Sequence, residues 1–115
     1  MSATEQPASV DVDDAARLIA EALSATGILL PMTRLEVLDR GLRAEATRLI
    51  RVVQRQADAT PLRSREWYEL IQAAERAEET LQFQLGTMPL AGSLQVAELA
   101  RRVCELRDVA PNTEP

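Results

Sequence analysis

Few residues of this chain are of a type that could do chemistry, and they fall into three groups. Arg48, Arg51 and Arg55, with Arg40 upstream, recur at helical spacing and form a stripe on one face. Guanidinium forks bind carboxylate or phosphate in pairs, so the stripe is a candidate site for an anion or an acidic partner. As ordinary surface charge it belongs instead with pairs such as Glu36–Arg40, Asp39–Arg43 and Glu98–Arg102, or with acids facing it from the next helix. Glu75, Glu78 and Glu79 are the densest acidic cluster. Glu75 and Glu79 share a helix face where a divalent ion could sit, but dinuclear sites in helical bundles add Glu-x-x-His motifs. The chain has no histidine, so a solvated acidic face is expected. Cys104 is the single cysteine; beside Val103 on a helix it reads as structural. Trp67 and Tyr68 are adjacent, one ring expected in the core and the other nearer its rim.

The absences exclude more than the presences suggest. All 13 basic residues are Arg. Without His there is no imidazole base, no Ser-His-Asp or Cys-His arrangement and no His-bearing zinc site. Without Lys there is no P-loop lysine and no Schiff-base nucleophile. The four glycines, at 27, 41, 86 and 92, are scattered, so no Gly-rich cradle for phosphate exists. The expectation is a protein that is not an enzyme, with no catalytic residues, metal or cofactor.

Such surfaces must be positioned by helices. Ala, Leu, Arg and Glu dominate the 115 residues, aromatics are 3 %, and 46 % of residues are apolar, enough for one helical domain with a real core. Residues 1–12 read as a disordered tail, followed by a helix from Asp13 to about Thr26 that Gly27 stops. Pro31 separates it from a second helix, Thr33 to Ala57, opened by a "TRLE" capping box of Thr33 and Glu36. Gly41 inside it marks close packing or a kink. A third helix spans Arg65 to Leu85 and ends at Gly86, and a fourth, capped by Ser93, runs to Val109. The domain is 13–109, with residues 110–115 as a second disordered tail. The fold class is all-α: an antiparallel four-helix bundle whose two longer central helices, the second and third, form a hairpin covered by the others. Leu35, Leu42, Leu49, Trp67, Ala74, Leu81, Val96 and Val103 are the expected core.

"QVAELARR", from Gln95, resembles the first half of a helix-turn-helix. A recognition helix must follow it, yet "APNTEP" with two prolines comes next, so the likeness is local. Net charge is −5, whereas nucleic-acid binders present a basic face; no nucleic-acid partner is expected. "MSATEQPASVDVDD" has no apolar core of a signal peptide and the longest apolar run is "GILLPM", so a cytoplasmic protein with no membrane partner is expected.

The segments "LLPMTRLEVLDRGLRAEATRLI", "AAERAEETL" and "VAELARRVCELRDV", with a Pro/Gly loop before the last, cover roughly Leu29 to Asp108. In this order they resemble a family of small, uncharacterised helical actinobacterial proteins loosely labelled as associated with natural-product biosynthesis. The resemblance implies a cytosolic helical protein and no catalytic residues. Some relatives carry a His where Leu106, Arg107 and Asp108 stand here.

The function expected is a non-enzymatic interaction module that binds a protein partner or itself. Ile50, Val53, Ile71 and Leu85, on the longer helices, would be covered in a homodimer through the helix-two/helix-three hairpin. Alternatives are an accessory protein holding a small apolar molecule between helices and a DNA-associated regulator.

Overall fold

The computed structural model describes residues 7–27 and 30–110, the first seven of these by backbone alone. They form four helices, α1 (Pro7–Leu23), α2 (Met32–Asp58), α3 (Arg65–Leu81) and α4 (Pro89–Val109), with no strand among the described residues. The tail expected over residues 1–12 is therefore helical from Pro7 onward. Proline suits a first helical position, where its missing N–H has no intrahelical acceptor. Residues 1–6 and 111–115, where the rest of both expected tails falls, lie outside the described residues.

Two expected caps are displaced by prolines, Pro31 at the cap position of α2 and Pro89 as the first residue of α4. α2 starts at Met32, one residue before the expected Thr33, because the Pro31 carbonyl accepts from the amides of Arg34 and Leu35, both at 3.0 Å. Thr33 is then inside the helix and exposed, and no side chain caps that end, so the capping box does not form. α4 starts at Pro89, four residues before Ser93, with the Gly92 amide donating to the Met88 carbonyl at 2.8 Å. Ser93 is 1 % exposed within the helix and its hydroxyl has no partner. At the start of α3 a side chain does cap: the Trp67 amide donates to the Ser64 hydroxyl at 3.2 Å. α3 ends at Leu81, four residues short of expectation, as the amides of Gln82 and Phe83 turn back to the Glu79 and Thr80 carbonyls.

These shifts reassign the centre of the bundle. α2, with 27 residues, and α4, with 21, are the two longer helices, while α3 has 17. α4 packs against α1, α2 and α3 alike, a role expected of the α2–α3 hairpin. The core joins Leu35, Leu38, Leu42 and Val53 of α2 to Val96, Leu99, Val103 and Leu106 of α4, all essentially inaccessible. α3 meets it through Leu70 and the small Ala73, Ala74 and Ala77. Trp67 and Leu81, expected in the core, are half-buried against it. Gly41 marks close packing: a Cβ there would lie 2.7 Å from Leu18 Cδ1 of α1, and α2 runs through it unbroken.

An ion pair ties α1 to α2. Arg34 donates from Nε and Nη2 to the two Glu21 carboxylate oxygens at 2.7 and 2.6 Å. These hydrogen bonds hold the Glu21 carboxyl below its usual range, against a smaller opposing effect of burial.

Candidate functional site

The Arg stripe forms as the spacing requires. Arg40, Arg48, Arg51 and Arg55 are all exposed on α2. Arg48 is held by Glu45 at 2.7 Å. Of the three expected helical pairs, Asp39–Arg43 and Glu98–Arg102 are made, at 2.9 and 3.0 Å. None of the ion pairs takes up Arg40, Arg51 or Arg55 among the described residues. A single side-chain bond crosses from this face to the acids of α3 there: Gln54 Nε2 donates to Glu78 at 3.3 Å.

The apolar part of the expected site is only partly a surface. Ile50 is 5 % exposed and Val53 is inaccessible, while Ile71 and Leu85 are half-buried against the same core. The chain's own bundle already covers the first two, α4 being longer and more central than expected.

Exposed apolar surface lies instead around the α3–α4 turn. Phe83, Met88, Leu90 and Leu94 are each between 56 and 66 % exposed. Leu90 and Leu94 stand one turn apart on α4, Met88 is its N-terminal flanking residue, and Phe83 sits just beyond α3. A sequence signal for this region exists and is simple. From Thr80 to Ala97 no residue carries a charge, in a chain where 27 % of residues do.

The turn is built to hold its shape. Arg43 of α2 reaches across, donating from Nη1 to the Leu81 carbonyl at 2.7 Å and from Nη2 to the Phe83 carbonyl. Its Nε is fixed by both Asp39 oxygens, at 2.9 and 3.0 Å. A cation here satisfies the last carbonyls of α3 and complements the negative end of its dipole. From the other side the Gln95 amide donates to the Thr80 and Phe83 carbonyls at 3.4 and 3.5 Å. Gly86, at φ +84°, takes a conformation that side chains disfavour. Gly92 lets α4 approach α2, since a Cβ there would be 3.1 Å from Leu35 Cδ1.

Two clefts flank α4. One, ≈ 390 Å³, lies between α3 and α4, lined by residues that include Arg76, Phe83, Gln95 and Arg102. Its guanidinium groups are engaged by acids, Arg76 by Glu105 at 3.1 Å and Arg102 by Glu98 and Glu105 at 3.0 and 3.3 Å. The other, ≈ 350 Å³, is a largely apolar groove between α1 and α4, lined by Ala16, Ile19, Ala20 and Leu23 opposite Cys104, Arg107 and Asp108. Cys104 is half-buried there. Trp67 packs on the core and Tyr68 is 47 % exposed, the rings edge-on with centroids 5.0 Å apart.

Among the described residues, Glu75, Glu78 and Glu79 included, no three ligand-type side chains gather where an ion could be held. No described helix is long and apolar enough to cross a membrane. Comparison with known proteins returns no matching family model, curated protein or solved structure.

Proposed function

We propose that the chain is a non-enzymatic, helical protein-interaction module that docks a protein partner through the α3–α4 turn. The observation that carries this reading is the exposure of Phe83, Met88, Leu90 and Leu94 together, in a segment free of charge and braced from two sides. Fully burying one such side chain is worth roughly 1.5–3 kcal/mol, so a few of them supply the anchors an interface needs. Bracing lowers the ordering cost of binding. A partner with an uncharged, apolar groove fits this surface. A membrane or a nucleic acid fits it poorly, because polyanions are drawn by basic residues and the segment has none. The role suits a cytoplasmic accessory or regulatory protein beside a biosynthetic pathway, the setting that the family resemblance implies.

The α1–α4 groove favours a second reading, a small apolar molecule held against Ala16, Ile19 and Leu23, since its ≈ 350 Å³ falls in the range of ligand sites. Hydrogen exchange of the protein with a purified, host-derived partner separates the two. Docking predicts slowed exchange within residues 83–95 and an unchanged α1. Protection confined to α1 and the end of α4 would favour the groove, and no protection anywhere would remove both.

A further inference from the structure

The α2–α3 face carries two charged rows that no ion pair takes up among the described residues. On α2, Arg51 and Arg55 are exposed one turn apart and meet no carboxylate among the described residues. On α3, Glu75 and Glu79 are likewise exposed one turn apart, and no ion pair among the described residues takes them up. Thirteen charged side chains among the described residues are neutralised locally, for instance Arg34 by Glu21, Arg43 by Asp39, Arg48 by Glu45, Arg76 by Glu105 and Arg101 by Glu98. Other exposed charges, among them Glu36, Arg40, Glu66, Glu69 and Arg107, also stand outside the ion pairs among the described residues; what marks this face is that two basic and two acidic side chains stand in one-turn rows on neighbouring helices.

We infer that a second copy of the chain covers this face, related by a two-fold axis along the α2–α3 seam, with Arg51 and Arg55 of each copy set against Glu75 and Glu79 of the other. The Gln54–Glu78 bond at 3.3 Å fixes the relative heights of the two helices. Arg51 and Arg55 lie within one turn of Gln54, and Glu75 and Glu79 within one turn of Glu78. A two-fold axis along the seam keeps every residue at its own height and exchanges α2 for α3. The basic row of one copy then lies over the acidic row of the other, and the reverse, within the reach of an Arg side chain. Both rows rise by one helical turn, about 5–6 Å, so two pairs form on each side. Such an interface is self-complementary, as two-fold contacts are. Ala44 and Thr47, small and exposed on the same side of α2, leave room for the approach.

This inference stands apart from docking at the α3–α4 turn, uses different residues and fails separately. It keeps the hairpin as the self-association surface and replaces burial of Ile50 and Val53 with charge pairing, which selects partner and register more than it adds affinity.

A charge-swap experiment by sedimentation equilibrium tests it. The wild type should be dimeric at low salt, with a dissociation constant raised at least about tenfold by raising salt from roughly 0.05 to 0.5 M, where screening is strong. The Arg51→Glu/Arg55→Glu variant and the Glu75→Arg/Glu79→Arg variant should each be monomeric alone. Mixed in equal amounts they should form a dimer, which also shows that both are folded. A monomeric wild type, a dimer that survives either reversal, or a mixture that stays monomeric would each overturn the inference.

Discussion

At the scale of single residues, the account turns on which charges are bound and which are free. Arg34 and Glu21 show the bound case. Hydrogen bonding to Arg34 depresses the Glu21 carboxyl below its ordinary value of 4.5. A group lowered on folding stabilises the fold wherever it is ionised in both states, above that ordinary value, and the contribution is lost as pH falls through the depressed one. The stability difference between wild type and Arg34→Ala should thus be constant near neutrality and close as the solution is acidified below 4.5. The side chains are 43 % and 32 % exposed, so the gap should stay under about 1 kcal/mol. Thermal melts over a pH series check this; a gap that persists undiminished at about pH 2, or that widens in acid, contradicts it. Arg43 was legible in sequence only as the partner of Asp39. Its reach to Leu81 and Phe83 joins residues about forty positions apart in the chain, and spacing along one helix carries no information on that.

At the scale of elements, the four helices were readable because each has a continuous apolar face, as Leu35, Leu38, Leu42, Leu49 and Val53 of α2 show. Their ends were less readable. Thr33 and Ser93 are good cap residues by type, but Pro31 and Pro89 lie upstream, and proline starts a helix without needing an amide partner. The error at Ser93 hid the first turn of α4, and with it the position of Leu90 on the same exposed face as Leu94. The early end of α3 follows from tertiary structure, because Arg43 and Gln95 take up the carbonyls that further helix would have used. Arg43→Ala should therefore loosen the α3–α4 turn and leave Asp39 without its cation. The expected loss is about 1.5–3 kcal/mol, the range for hydrogen bonds to charged groups, read from denaturant midpoints. Arg43→Lys should recover part of it, since an ammonium cannot span acceptors as a guanidinium fork does. A loss below about 0.5 kcal/mol for Arg43→Ala, the level of an ordinary surface change, would deny the clamp.

At the scale of the whole molecule, composition is legible in the sequence and exposure is not. The missing His and Lys are facts of composition, whereas exposure is decided by packing. Ile50 and Val53 have the same apolar character as Leu90 and Leu94, yet the first pair is buried and the second is not, because α4 passes over α2 and its first turns set Gly92 and Ser93, not Leu90 and Leu94, against the bundle. The central claim is that this exposed, uncharged turn is where the protein works. Titration calorimetry with a purified partner tests it most directly, comparing wild type with Leu90→Glu/Leu94→Glu. Both positions are more than half exposed, so the variant should fold as the wild type does by circular dichroism. The account predicts that the variant binds at least about tenfold more weakly, a loss of roughly 1.4 kcal/mol or more. Binding of equal strength by the folded variant would contradict it.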